Sequence, residues 1–169
     1  MTAAPSSAAS WQEFVDDAPE LARLVADRLT AHEHHVLATL RADGSPRLNG
    51  TNVVFEGADL LVGCMPGTRR AADLRRDPRC ALHSAPDLPT MPQGDARLDC
   101  VAVELGEDHA RAVFRRLADS DGVQQDGEPL DGDLFALRIR SVSFVQVAGE
   151  HLDVTTWSPG GGVQVLTVG

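Results

Sequence analysis

The segment from residue 60 to residue 79 constrains the fold of this chain more than any other. Its apolar run, Leu60-Leu61-Val62, predicts a strand, and Pro66-Gly67 predicts a tight turn directly behind it. A helix is then predicted from about Thr68 to Arg76, because Asp77 precedes a proline and is therefore disfavoured in the helical region. The chain thus passes from strand to turn to helix in a short stretch and returns to strand after the proline.

Short strands separated by turns continue through the rest of the sequence. The predicted strands cover residues 36–40, 48–55, 58–63, 79–84, 97–105, 134–147, 151–157 and 163–168. Helices are predicted before residue 32, from a capping box at Ser10 and an apolar periodicity that begins at Leu21, and over residues 107–118. Strands in hairpin order with few helices predict a mainly β protein whose sheet closes into an antiparallel barrel rather than a parallel α/β sheet.

The length and composition fit one globular domain with an acidic surface. We predict a disordered tail over residues 1–9 and a single domain over residues 10–169. The formal net charge of −10 argues against nucleic acid as a partner. No apolar run reaches the length of a membrane span and the first ten residues lack the features of a secretory signal, so we expect a cytoplasmic protein without membrane contact. All 15 residues counted as Lys+Arg are arginines, which excludes lysine Schiff-base chemistry.

The start of the helix predicted at residue 68 combines residue types that bind anions. Thr68 supplies a hydroxyl, Arg69 and Arg70 supply guanidinium groups, and the first turn of any helix presents unpaired N–H groups. We therefore predict a phosphate site there. The alternative is an ordinary solvated helix face, on which Arg69 would pair with Asp73 four residues later. The remaining arginines of this block, at positions 75, 76 and 79, are interpreted as surface charge.

Two blocks of the sequence, residues 37–46 and residues 65–81, resemble the flavin-binding split-barrel family. This group includes pyridoxamine 5′-phosphate oxidase and the flavin/deazaflavin oxidoreductases. The resemblance implies an antiparallel split β-barrel that binds FMN or the deazaflavin F420 and acts on a small-molecule substrate. It also implies a homodimer with the cofactor in a groove between the subunits, for which we expect the strands at residues 97–105 and 134–147 to supply the contact.

The same resemblance implies a set of cofactor-binding residues. The phosphate triplet of the family corresponds to Thr68, Arg69 and Arg70. The strand beside the flavin ring and the strand end beside the ribityl chain correspond to Asn49, Gly50, Thr51, Gly63 and Cys64. Trp157 either caps the flavin, as C-terminal aromatic residues do in some members, or packs in the core or in an interface.

Departures from the family pattern limit the activity that we expect. Pyridoxamine phosphate oxidases have an arginine at the position of Asn49 and a lysine for the substrate phosphate at the position of Val54, and their C-terminal substrate motif is missing here. These changes leave flavin binding possible, but a second phosphate would have no cationic pocket. We therefore expect no useful oxidation of pyridoxine phosphate.

Other kinds of site are not favoured by the sequence. His32, His34 and His35 lack partners at zinc spacing, so we predict no metal site. The three cysteines, at positions 64, 80 and 100, are expected to be small buried side chains. The hypotheses left open are an oxidoreductase without a dedicated acid–base residue and a non-catalytic flavin- or haem-binding protein. The polar residues Asn49, Thr51 and Asn52 favour a flavin, since no histidine is obviously placed in the groove.

Overall fold

The fold is taken from a computed structural model that describes residues 8–86, 91–120 and 132–169. These residues form helices α1 (Trp11–Asp17), α2 (Pro19–Thr30), α3 (Arg69–Arg76) and α4 (Glu107–Ser120). They also form strands β1 (His35–Leu40), β2 (Pro46–Thr51), β3 (Val53–Glu56), β4 (Asp59–Cys64), β5 (Arg79–His83), β6 (Asp95–Glu104), β7 (Asp133–Ala148), β8 (His151–Ser158) and β9 (Gly162–Val168). No helix in these ranges is both long enough and apolar enough to cross a membrane.

Local sequence signals set the ends of the helices. The Ser10 hydroxyl accepts a hydrogen bond from the backbone N–H of Glu13, whose carboxylate accepts one from the Ser10 N–H, so the predicted capping box at the start of α1 is confirmed. Thr68 caps α3, and Asp77 ends it in an extended conformation before the proline. The predicted helix at residues 68–76 is therefore confirmed.

The strands form one antiparallel sheet in the order β2-β1-β5-β6-β7-β4-β3, with β8 paired to β7 and β9 paired to β8. The two strands at the ends of this path, β2 and β3, follow each other in the chain and are separated only by Asn52. Our prediction of one strand over residues 48–55 is wrong, because the chain leaves its pairing with β1 at Asn52 and begins to pair with β4. In the described residues β2 and the end of β4 are not paired, which leaves a split between these two strands. The sheet is therefore not closed, as in a split barrel, whereas the strand order alone predicted a closed barrel.

The core lies inside this curved sheet and beneath the N-terminal helices. Trp11 and Phe14 of the first helix pack against Phe55 and Trp157, which fixes α1 and α2 over the barrel. A second cluster packs α4 against β4 and β7. The three cysteines are buried and free, as predicted.

One expectation about the N-terminal tail needs correction. Ala9, assigned above to a disordered tail, is buried and exchanges both backbone hydrogen bonds with Ile139; residues 1–7 lie outside the described residues. The strands from which we predicted a dimer contact, β6 and β7, are paired on both sides within this chain, so only their faces are available, and the contact stays a prediction. Exposed apolar side chains concentrate on β9, where Val165 and Leu166 are 65% and 63% exposed.

Candidate functional site

The split between β2 and β4 is held by the side chain of Arg70. Its Nη1 donates to the Gly50 carbonyl at 3.0 Å, its Nη2 to the Gly63 carbonyl at 2.5 Å, and its Nε to the Cys64 Sγ at 3.2 Å. Four predicted site residues from three separate elements are thereby brought together. A guanidinium has five N–H groups, so Arg70 keeps two that a ligand can use.

The Cys64 thiol in this cluster is protonated rather than reactive. Burial raises its pKa above the ordinary value, and the opposing effect of the Arg70 charge and hydrogen bond is smaller. Cys64 therefore contributes a small, neutral wall to the split and accepts a hydrogen bond from Arg70.

The first turn of α3 presents an exposed cation at the N-terminus of the helix. The Thr68 hydroxyl accepts a hydrogen bond from the Ala71 N–H at 3.4 Å, which is the capping contact. The Arg69 side chain is exposed, and no ion pair or side-chain hydrogen bond is found for it within the described parts of the chain. Because the leading N–H groups of a helix have no intrahelical acceptor, this end of α3 has both charge and donors for an anion.

Asp73 does not neutralise Arg69, contrary to the pairing considered from the sequence. Its carboxylate is buried and accepts from Thr39 Oγ1 at 3.2 Å, Arg47 Nε at 2.6 Å and Arg76 Nη2 at 2.9 Å. Burial alone raises the pKa of this carboxyl, but the hydrogen bonds from Arg47 and Arg76 outweigh it and hold the pKa below its ordinary value. Asp73 is therefore ionised and fully occupied, which leaves Arg69 available.

An open groove of about 400 Å³ runs along this face of α3 toward the turn between β1 and β2. Its charged lining residues are Arg41, Asp43, Arg47, Arg69, Asp73 and Arg76. Arginine outnumbers aspartate there by four to two, in a chain whose net charge is −10. The groove is thus a local region of positive potential that attracts anions.

Two further predicted residues, Asn49 and Thr51, lie on β2, the strand that also carries Arg47 of the groove lining. The Asn49 side-chain nitrogen is buried and finds no acceptor among the described residues. Thr51 is buried, and its hydroxyl donates to the Asn52 carbonyl at 3.1 Å. A buried donor without a partner costs about 1–3 kcal/mol, which a ligand acceptor would recover. Together with the free Arg69 side chain, this orphaned donor fits a phosphorylated ligand with a polar ring such as a flavin.

A histidine also reaches the split, which the sequence analysis missed. His34 Nδ1 lies 2.7 Å from Asn52 Oδ1, at the residue where the chain passes from β2 to β3. Since a carbonyl oxygen only accepts, Nδ1 is the donor in this contact, and in the neutral ring Nε2 is then the acceptor. The strand register explains this contact. His35 pairs with Thr51 in the β1–β2 ladder, so His34, one residue earlier, lies opposite Asn52, one residue later.

Trp157 lies elsewhere. Its side chain is 2% exposed, its Nε1 donates to Asp17 Oδ2 at 2.7 Å, and its ring centroid is 4.6 Å from that of Phe14. This position matches packing in the core, which was one of the roles considered above. It does not match a cap on the flavin. No group of three or more His, Cys, Asp or Glu residues suited to a metal is found in residues 8–86, 91–120 and 132–169.

Known proteins place this arrangement in context. No curated protein sequence matches the chain. Among solved structures, a pyridoxamine 5′-phosphate oxidase-related, FMN-binding protein from Nostoc punctiforme aligns with a TM-score of 0.64 at 14% identity, over 90% of this chain and 96% of its own. The haem storage protein HutZ from Vibrio cholerae aligns with a TM-score of 0.52 at 20% identity, over 86% and 96%. An F420 reductase aligns with a TM-score of 0.54 at 20% identity, over 69% and 94%.

At these identities the structural matches establish the fold alone. The family assignment comes from the sequence: residues 21–146, most of the chain, match the family model described as pyridoxamine 5′-phosphate oxidase. The split sheet, with α3 packed beside its opening, agrees with that match. The chain belongs to the pyridoxamine 5′-phosphate oxidase family.

Proposed function

We propose that this protein is an oxidoreductase that uses a bound FMN or the deazaflavin F420. The observation that carries the proposal is the exposed side chain of Arg69 at the first turn of α3, which pairs with no described residue, while the nearby Asp73 carboxylate is already bound by Arg47 and Arg76. Family membership and the fold shared with an FMN-binding protein and an F420 reductase support it.

Each side chain of the site has a distinct part in this proposal. Thr68, Arg69 and the leading N–H groups of α3 bind the cofactor phosphate, and Arg70 bridges the two sides of the split while offering its two remaining N–H groups. Asn49 donates its unpaired N–H to an acceptor on the ring. A Cβ at Gly50 would meet nothing within 4 Å, so a flat ring can lie against the backbone there. The bound flavin supplies hydride chemistry, and the protein supplies position and charge.

The same proposal covers the setting in which the protein works. We infer a homodimer in the cytoplasm that acts on a small-molecule substrate, with β9 rather than β6 and β7 as the contact, because β9 is an edge strand with exposed apolar residues on both faces. Val54, at the position of the substrate lysine, is a half-buried residue of β3. We therefore propose that the substrate is not pyridoxine phosphate.

A comparison of FMN with riboflavin tests the phosphate site. We expect wild-type protein to bind FMN more tightly than riboflavin, and Arg69→Ala to reduce this difference by about 1.5–3 kcal/mol, the contribution of one charge-assisted hydrogen bond. Arg111→Ala is the matched control, since Arg111 is an exposed arginine on α4 that pairs with Asp108. Titration of F420 against the same variants identifies the preferred cofactor. Equal FMN affinity for wild type and Arg69→Ala would contradict the proposal.

A haem-binding protein is the second candidate, and His34 is the observation that favours it. Its Nδ1 is held by Asn52 and its Nε2 is exposed at the split, which is how a histidine that ligates iron is usually oriented. HutZ, which shares the fold, is described as a haem storage protein. Titration with haemin tests this candidate: a Soret band that is lost in His34→Ala and kept in His109→Ala supports it. No spectral change with haemin excludes it.

A further inference from the structure

A largely buried ion pair joins the two elements that carry the two ends of the candidate site. Arg47 of β2 donates from Nε to Asp73 Oδ2 of α3 at 2.6 Å, and the two side chains are 19% and 5% exposed. Arg47 precedes Asn49 on the same strand, and Asp73 follows Arg69 on the same helix. The pair therefore connects the strand assigned to the cofactor ring with the helix assigned to its phosphate.

Each member of the pair shares a side with the site residue on its own element. Arg47 and Asn49 are partly buried and Leu48 between them is exposed, so Arg47 and Asn49 lie on one face of β2. Residues four apart share a face of a helix, which puts Asp73 on the side of Arg69. Arg47, Arg69 and Asp73 also line the same groove. A shift of β2 against α3 would thus move Asn49 relative to Arg69.

The position of β2 depends on such side-chain contacts because it is an edge strand. In the described residues β2 is paired with β1 alone, and its other edge faces the split. Arg70 links the end of β2 to α3 by its bond to the Gly50 carbonyl, but that contact is exposed to solvent. The bond between Arg47 and Asp73 is charge-assisted and less screened by solvent, so it holds the spacing more firmly.

Further hydrogen bonds fix the Asp73 carboxylate in place. Thr39 Oγ1 of β1 donates to Asp73 Oδ2 at 3.2 Å, and Arg76 Nη2 donates to Asp73 Oδ1 at 2.9 Å. Arg76 Nη2 also donates to the Leu40 carbonyl of β1. The carboxylate is therefore a fixed point between α3 and β1, against which Arg47 sets the position of β2.

We propose that Arg47 and Asp73 are positioning residues that set the spacing between the ring-binding strand and the phosphate-binding end of α3. This inference rests on the function proposed above. A ligand held at both ends gains from the correct spacing, because its second contact forms within the complex already made by the first. A ligand held by its ring alone does not depend on that spacing. The pair should therefore matter for FMN and not for riboflavin.

The opposite charges of the two residues separate positioning from simple electrostatics. By charge alone, Asp73→Asn would strengthen FMN binding, because the groove becomes more positive, and Arg47→Gln would weaken it. Positioning predicts that both substitutions weaken FMN binding. The double variant, Arg47→Gln with Asp73→Asn, keeps the net charge of the wild type. A loss of FMN affinity in the double variant therefore does not come from net charge.

The experiment is a titration of full-length wild type and these three variants with FMN and with riboflavin, followed by flavin fluorescence. We expect each variant to lose about tenfold to a hundredfold in FMN affinity, which is the effect of one misplaced charge-assisted hydrogen bond, and to stay within about twofold of wild type for riboflavin. Asp27→Asn is the matched control: Asp27 pairs with Arg23 on the exposed face of α2, so both affinities should be unchanged.

Urea unfolding curves identify the variants that are folded under the titration conditions. The double variant leaves no charge of this pair without its partner, so it keeps the test decisive if Asp73→Asn alone does not fold. Higher FMN affinity in Asp73→Asn with lower affinity in Arg47→Gln would show that the pair acts only through charge. Equal losses for FMN and riboflavin would show a general structural effect, and unchanged FMN affinity in the double variant would show no effect. Each of these results overturns the inference.

Failure of the proposed function gives a different result. Wild-type protein that binds FMN no more tightly than riboflavin would refute the phosphate site, and the positioning role with it. A wild type that prefers FMN, together with a double variant that keeps the same preference, would refute the positioning role and leave the phosphate site intact.

Discussion

Replacing Asp73 by alanine should be among the most destabilising single changes near the candidate site. The carboxylate is 3% exposed and joins β1, β2 and α3 through Thr39, Arg47 and Arg76. Hydrogen bonds to charged groups contribute about 1.5–3 kcal/mol each, and the bond to Thr39 adds about 1 kcal/mol. The Arg76 side chain is 40% exposed, so its contribution is discounted for solvent, whereas the Arg47 side chain is only 19% exposed.

The substitution also leaves the Arg47 guanidinium without its carboxylate. Removing one partner of a buried ion pair costs about 3–5 kcal/mol, and we expect Asp73→Ala to lower the free energy of unfolding by about that much. Urea denaturation followed by tryptophan fluorescence measures it, because Trp11 and Trp157 both lie in the core. Asp77→Ala is the control: its partner, the Arg79 side chain, is 64% exposed, and we expect a much smaller loss because solvent screens this pair. Losses of the same size in the two variants would refute the reasoning.

Three further outcomes are expected. His35 is held neutral, since Nδ1 accepts from the Ala85 N–H and Nε2 donates to the Leu29 carbonyl, and burial lowers its pKa. Below about pH 6.5 this histidine is protonated in the unfolded chain but stays neutral in the folded chain, so the free energy of unfolding should fall as the pH drops toward the folded pKa. Urea denaturation at several pH values measures this fall, and His35→Gln should lack the part that His35 contributes. Val165→Asp with Leu166→Asp should convert the proposed dimer to a monomer in light scattering, and a wild-type monomer would contradict that contact. The rate of pyridoxine phosphate oxidation in an FMN-saturated assay should be about a thousandfold or more below that of a true oxidase. The reason is that losing about 4 kcal/mol of phosphate binding in the transition state lowers the rate by about this factor.

Helix α3 could be predicted from the sequence because its limits are local. Thr68 caps the helix by a bond to a residue three positions away, and the proline at position 78 acts on the residue before it. The hairpin turn of β1 and β2 is equally local, since Asp43 and Gly44 define it in sequence. The family resemblance rested on these short blocks and for that reason pointed to the right fold.

The contacts that shape the candidate site could not be predicted in the same way. Asp73 pairs with Arg47, which is 26 positions away, and not with the arginine one helical turn before it. The break at Asn52 depends on which strand each half of the segment pairs with, which the alternation of residues 48–55 does not record. His34 reaches the split only because the register carries it past the end of β2. Each of these depends on the three-dimensional arrangement of elements that are distant in the chain.

The closure of the split by one side chain has a mechanical consequence. Elsewhere in the barrel neighbouring strands are joined by a ladder of backbone hydrogen bonds, so separating them breaks many bonds in succession. Between β2 and β4 the Arg70 guanidinium bonds to one carbonyl on each strand, and rotating that one side chain releases both. The split between β2 and β4 is therefore the part of the sheet that deforms most easily. Its width can change without disturbing the rest of the sheet, and the amide hydrogens that face it should exchange with solvent earlier than those on the other strands.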